Sequence, residues 1–151
     1  MDHLLYTCNF YRRIKEMVTP IRKDVVKMDI QENAYFLVYH KDLDIGFGST
    51  VGLYLYDKEY LKFDCFGQDK GHYHVFNKTK DVRIYFTEKT VLEQINKVSY
   101  EMTNNIQTYL HASNVKKIHD FQFDMDIFRS KILVAIETML NYEQKYYASL
   151  R

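Results

Sequence analysis

The sequence predicts an α+β domain: an antiparallel sheet of about six strands, followed by two amphipathic helices packed on one face of it. Two observations carry that prediction. From about residue 23 to residue 86, apolar residues alternate with period two in short runs broken by turn formers, the pattern of a sheet with one covered face. At Thr90 the period lengthens to that of a helix and stays there. Helices that follow a sheet, rather than alternating with its strands, collect on one side of it.

The elements follow in order. "VVKMDI" (25–30) and "AYFLVYH" (34–40) are strands joined across Gln31, Glu32 and Asn33. "KDLDIGFGST" (41–50) reads as a longer loop. In "VGLYLY" (51–56), Val51, Leu53 and Leu55 share a face; in "YLKFDCF" (60–66), Leu61, Phe63 and Cys65 do the same, with the turn at Asp57 and Lys58. "HYHVF" (72–76) and "VRIYF" (82–86) continue the meander across "NKTKD". Thr90 and Glu93 form a capping box at the head of the first helix, whose stripe runs through Leu92, Ile95, Val98, Ser99, Met102, Ile106, Tyr109 and Leu110. "NVKKIHD" (114–120) is a connecting loop. A second helix, 126–148, aligns Phe128, Ile132, Ala135, Met139, Tyr142 and Tyr146. Beside that stripe lie Ile136, Leu140, Tyr147 and Leu150, a second apolar side that predicts a homodimer. The N-terminal "NFYRRIKEM" fits a strand or a short helix alike.

No linker, repeat or low-complexity tract divides the chain, so residues 1–151 are expected to form a single domain. At 46% hydrophobic and 27% charged, the composition is that of a chain able to bury a core. The net charge is +1, so any contact with nucleic acid must rest on a local patch rather than a global field. "YRRIK" (11–15) with Lys23 is one such patch, although a short charged run is usually a solvated face. Cys8 and Cys65 are too few and too far apart for a disulfide framework or a zinc-binding CxxC pair, which fits free thiols in a reducing cytosol. No signal-peptide-like or membrane-spanning run is present, and a cytoplasmic location with no membrane partner is expected.

The chemistry concentrates in "FDCFGQDKGHYH" (63–74). Alternate residues of a strand share a face, so His72 and His74 project together, away from Tyr73. If 60–66 and 72–76 form a hairpin, one register sets Asp64 opposite His74 and Phe66 opposite His72, bringing a carboxylate to both imidazoles; a one-residue slip would remove it. Asp64, His72 and His74 are therefore the candidate catalytic residues, for acid–base work near neutral pH or as metal ligands. Gly67 and Gly71 are candidate substrate-binding positions, where backbone amides can approach a phosphate. Tyr73 or Phe66 can stack on a base. His40, His111 and His119, each at the end of an element, are weaker candidates to complete a metal site. The competing reading of an HxH pair is a solvated hairpin. No dedicated metal site and no cofactor are assigned: a cupin-type site wants a further acidic ligand soon after the second histidine, and "HVFNKTK" supplies none.

The Asp-containing run, the glycine turn, "KGHYH", the strand ending in "YF" and the helix opening "TVLEQI" resemble the TumE-type toxins of bacterial toxin–antitoxin systems. They are similar as well to small bacterial and phage-associated proteins with an Asp, Gly, His-x-His pattern. The resemblance spans roughly residues 52–96 and implicates Asp64, Gly71, His72 and His74. It implies a small toxin-like enzyme acting on RNA or nucleotides, of ribonuclease or phosphodiesterase type, with an antitoxin as protein partner. The alternative is a non-enzymatic phage or bacterial-defence protein, an inhibitor or accessory factor, for which a tyrosine-rich surface is suited.

Overall fold

The computed structural model describes residues 21–43, 46–77 and 80–148. The chain runs through β1 (Ile21–Gln31), β2 (Ala34–Leu43), β3 (Gly46–Leu55), β4 (Lys58–Cys65), β5 (His72–Asn77) and β6 (Lys80–Tyr85). Each strand pairs antiparallel with the next, giving one six-stranded meander in sequence order. Three helices follow: α1 (Val91–His111), the single turn α2 (Lys116–His119) and α3 (Met125–Ala148). The α+β architecture expected from the change of period is the one observed. Residues 1–20 and 149–151 lie outside the described residues, and with them the "NFYRRIKEM" element, the "YRRIK" patch, Cys8 and Leu150.

Alternation assigns the two faces. Phe36, Val38, Val51, Leu53, Leu61, Phe63 and Cys65 point to the helix side and are almost wholly buried. They meet Ile95, Val98, Met102 and Ile106 of α1 and Phe128, Ile132, Ala135 and Met139 of α3. Burying these stripes on the sheet is what holds the layers together. Ser49 Oγ donates to the Met139 carbonyl of α3, so Ser49 also faces the helices. Their neighbours Thr50 and Asp64 must then lie on the opposite face. Free Cys65 is buried in the core, which pushes its thiol pKa well up.

Several local expectations are corrected. Residues 41–43 and 46–50 are not loop: β2 continues to Leu43 and β3 begins at Gly46, pairing Lys41 with Gly48 and Leu43 with Gly46. Its glycines and charged residues look loop-like in sequence, but Lys41 is buried by a tertiary partner and Gly46 lies under the Phe66 ring. The β3–β4 turn is Tyr56–Asp57, one residue earlier than expected, because Leu55 pairs with Lys58. Both turn residues adopt positive φ, 52° and 62°, the requirement of a type I′ hairpin. Thr90 caps α1 by accepting from the Glu93 amide at 3.1 Å, while the Glu93 carboxylate accepts from the Lys89 amide rather than from that of Thr90. A turn of helix interrupts the expected loop 114–120. Ile136 and Leu140 pack partly against the core, so the second apolar side of α3 is narrower than the sequence suggests.

A β-bulge between Lys23 and Val26 turns β1 toward α3. There Asp24, at φ 53°, accepts from Lys145 and Tyr146, and its carbonyl accepts from Tyr142. His40 is buried on this same side, 4.1 Å from the Tyr146 ring and 4.4 Å from the Phe47 ring, centroid to centroid. Burial, with Lys23 nearby, lowers its pKa from 6.5 to about 4.

Alanine at Ile95 or Met102, both fully buried, is expected to cost about 2–5 kcal/mol, read as a fall in the denaturant midpoint. His40 sets a pH dependence whose sign is fixed. Between pH 6.5 and about 4 the unfolded chain takes up a proton that folded His40 refuses, so stability falls as pH falls. His40→Phe should flatten that part of the stability–pH curve.

Candidate metal centre

Residues 63–65 alternate as part of β4, and the chain leaves the strand through a turn at Gly67, where φ is +71°. Gln94 of α1, completely buried, fixes that turn. Its carbonyl oxygen accepts from the Gly67 amide at 2.9 Å, and its amide nitrogen donates to the Glu88 carbonyl at 2.9 Å. A Cβ at residue 71 would fall 2.0 Å from the Gln94 side chain, so Gly71 lets the helix approach the turn. The amides expected to be open for a phosphate are thus engaged in structure: Gly67 donates to Gln94, and Gly71 donates to the Gly67 carbonyl at 3.3 Å. Tyr73 points to the helix side, stacked on Phe63 at 5.0 Å and near Phe86 at 5.4 Å.

The turn sets the β4–β5 register, in which Asp64 pairs with His72 and Lys62 with His74. This corrects the expected register by two residues. An even shift preserves the face, so both histidines still share a side with Asp64. The pairing extends into a row across five strands, Tyr39–Thr50–Asp64–His72–Tyr85, all on the face away from the helices.

Within that row Asp64 is only 1% exposed. Its Oδ1 accepts from Lys41 Nζ at 2.8 Å and from Thr50 Oγ1 at 2.6 Å. Burial alone would raise its pKa, but the Lys41 ammonium and the two hydrogen bonds outweigh burial and hold it below the usual carboxylate range. Lys41, itself buried, is held below the ordinary lysine value by desolvation, which the Asp64 charge partly offsets. Oδ2 is left facing His72 Nε2 at 3.4 Å and His74 Nε2 at 3.7 Å. Both separations exceed the 2.6–3.2 Å that a direct hydrogen bond from either ring requires.

The far nitrogens explain the gap. His72 Nδ1 lies 2.8 Å from the Lys70 carbonyl and His74 Nδ1 2.8 Å from Asp81 Oδ1, and both of those partners accept only. In its neutral form each ring then carries its hydrogen on Nδ1 and turns the Nε2 lone pair toward Asp64. Burial lowers the His72 pKa, which favours the neutral ring. Three acceptor atoms converge, all within 4.8 Å of one another. Such a group can hold a metal ion, with the Lys70 carbonyl and Asp81 orienting the imidazoles from behind.

The other described histidines do not join it. His40 lies on the helix side, and His111, the last residue of α1, packs on His119 of α2 at 5.2 Å. Lys41, Thr50 and Asp81 do not stand out in the sequence: the first two sit in the apparent loop 41–50, and Asp81, a residue of β6, in the apparent connection "NKTKD". Asp81 was findable, because it shares strand parity with Arg83, which pairs with His74.

Residues 25–139 match the model of a family described as a domain of unknown function, DUF7700. The chain belongs to the DUF7700 family. No curated protein and no solved structure matches it. The DUF7700 match contains every member of the cluster, from Lys41 to Asp81, and ends within α3. Among the described residues of this DUF7700 protein no helix is long and apolar enough to cross a membrane.

Lys41→Met strands the buried Asp64 carboxylate and is expected to cost about 3–5 kcal/mol, whereas Lys41→Met combined with Asp64→Leu should restore most of the loss. Urea unfolding of the two variants measures both. Equal midpoints for them would show that the ion pair is not what keeps Asp64 charged.

Proposed function

We propose that this DUF7700 protein is a divalent-metal phosphodiesterase acting on RNA or a nucleotide, with Asp64, His72 and His74 as the metal ligands. One observation carries the reading: a carboxylate oxygen and two imidazole nitrogens converge within 4.8 Å of one another, while the far nitrogen of each ring already faces an acceptor. Ligand atoms bound at 2.0–2.2 Å to a tetrahedral ion lie about 3.4 Å apart. The two separations from Asp64 Oδ2, 3.4 and 3.7 Å, come close to that spacing, and all three atoms lie within 4.8 Å of one another. Two imidazoles and a carboxylate suit zinc, manganese or iron(II) better than calcium or magnesium. Such an ion supplies Lewis acidity at a phosphoryl oxygen and acidifies a water.

The surrounding residues suit a phosphate-bearing substrate. Lys62 and Arg83 flank His74 on the two neighbouring strands, a local pair of cations despite the neutral chain. Tyr85, 58% exposed, lies 5.6 Å from the His72 ring and offers a stacking surface for a base. The resemblance of residues 52–96 to TumE-type toxins supports RNA as substrate and an antitoxin as partner. A second reading, a protein-binding module or homodimer, draws on the apolar surface left open by β6 at Val82 and Ile84 and by α3 at Leu133 and Val134.

Purified protein is expected to retain zinc or manganese in equimolar amount and to cleave single-stranded RNA or a dinucleotide. His74→Ala or Asp64→Asn should abolish both, as measured by elemental analysis and a cleavage assay. A wild-type protein that binds neither ion in calorimetric titration would overturn the metal reading. Metal binding without cleavage would leave a metal centre of structural use and remove the phosphodiesterase.

A further inference from the structure

A groove of about 920 Å³ opens on the helix side, between the ends of β2 and β3, the β4–β5 turn, the start of α1 and the last turns of α3. Leu43, Phe47, Val91, Ile95 and Leu140 make its walls apolar, and its size is that of a small-molecule site. It shares the 66–70 turn with the Asp64 cluster but none of its ligands.

Glu143 is the carboxylate in this apolar lining. One oxygen, Oε1, accepts from the Ser49 amide at 3.2 Å and, at 2.9 Å, shares the single Ser49 hydroxyl hydrogen with the Met139 carbonyl at 3.1 Å. Among the described residues no lysine, arginine or histidine forms an ion pair with Glu143, in contrast to Asp64 with Lys41. Burial raises its pKa, with the Ser49 bonds opposing. A partly desolvated carboxylate without a counter-ion is costly unless something brings a cation to it. The other charged groups of the lining, Lys70 and Lys89, lie at the turn and the head of α1, and Lys89 is already paired with Asp69 at 2.5 Å.

We infer that this groove binds an organic amine, its cationic nitrogen on Glu143 and its alkyl or aryl body along Leu43, Phe47, Ile95 and Leu140. The site is separate from the proposed metal centre and does not depend on it. The ligand class follows from two properties together: apolar walls that exclude a strongly hydrated ion, and a carboxylate that, among the described residues, has no ion-pair partner and so favours a cationic head over a neutral or anionic one.

The test uses three probes with one body and different heads, 4-phenylbutylamine, 4-phenylbutanol and 4-phenylbutyrate, titrated into the full chain and followed by backbone amide NMR. The amine is expected to bind tightest and to shift the amides of Ile95, Leu140 and Glu143. Glu143→Gln keeps the Ser49 bonds and should weaken the amine about tenfold or more, leaving the alcohol unchanged, as for loss of a charged hydrogen bond. The comparison on wild-type protein stands even if that variant fails to fold. Alcohol or carboxylate binding as tightly as the amine, shifts confined to other surfaces, or an amine affinity unmoved by Glu143→Gln would each overturn the inference. Loss of metal binding in Asp64→Asn with amine binding intact would separate the two sites.

Discussion

A carboxylate buried in the middle of a β-sheet needs a compensating charge, and Asp64 has one in Lys41. The Lys41–Asp64 ion pair at 2.8 Å ties β2 to β4 across β3, with Thr50 of the intervening strand donating to the same oxygen. Removing two charges from water costs several kcal/mol per ion, and only close geometry with the remaining hydrogen-bonding capacity satisfied recovers it. The extension of β2 to Leu43 and of β3 back to Gly46 is the structural means of placing Lys41 and Thr50 there. The sheet's reach and the cluster's charge balance are therefore one problem with one solution.

That ion pair also shapes the chemistry. With Oδ1 occupied by two donors, Asp64 has only Oδ2 to offer the histidines, so it can act as a monodentate ligand. The histidines are constrained in the same way from behind, by a backbone carbonyl and by Asp81. Each of the three groups thus has its free electron pair selected by a partner outside the cluster. Preorganisation of this kind is what a metal site needs, because ligands already aimed lose little entropy when the ion arrives.

The two helices do different work. α3 lies along β1, β2 and β3 and is anchored by Asp24, Ser49 and the stack of Tyr146 on His40. α1 contacts β4 and, through Gln94, holds the turn that sets the β4–β5 register. A buried glutamine near the N-terminus of a helix thereby fixes the position of two histidines on the far face of the sheet. Leu43, Phe47 and the 66–70 turn border the open groove between the helix ends and the sheet. Glu143 lies there with one oxygen bound and, among the described residues, no cation paired to it.

The sequence by itself determined the class of fold, the order and type of the regular elements, and the fact that His72, His74 and Asp64 share a face. These are local properties: a period of two or of 3.6 is written in consecutive residues, and face-sharing survives any even error in register. Only the tertiary structure decided which residue opposes which, that 41–43 and 46–50 are strand, that Gly67 and Gly71 serve Gln94 rather than a ligand, and that Lys41, Thr50 and Asp81 complete the cluster. Each of those depends on a contact between segments distant in sequence, such as Lys41 with Asp64 or Gly67 with Gln94, whose energy comes from burial and charge pairing. A lysine in a glycine-rich run carries no local mark of the buried carboxylate it will meet.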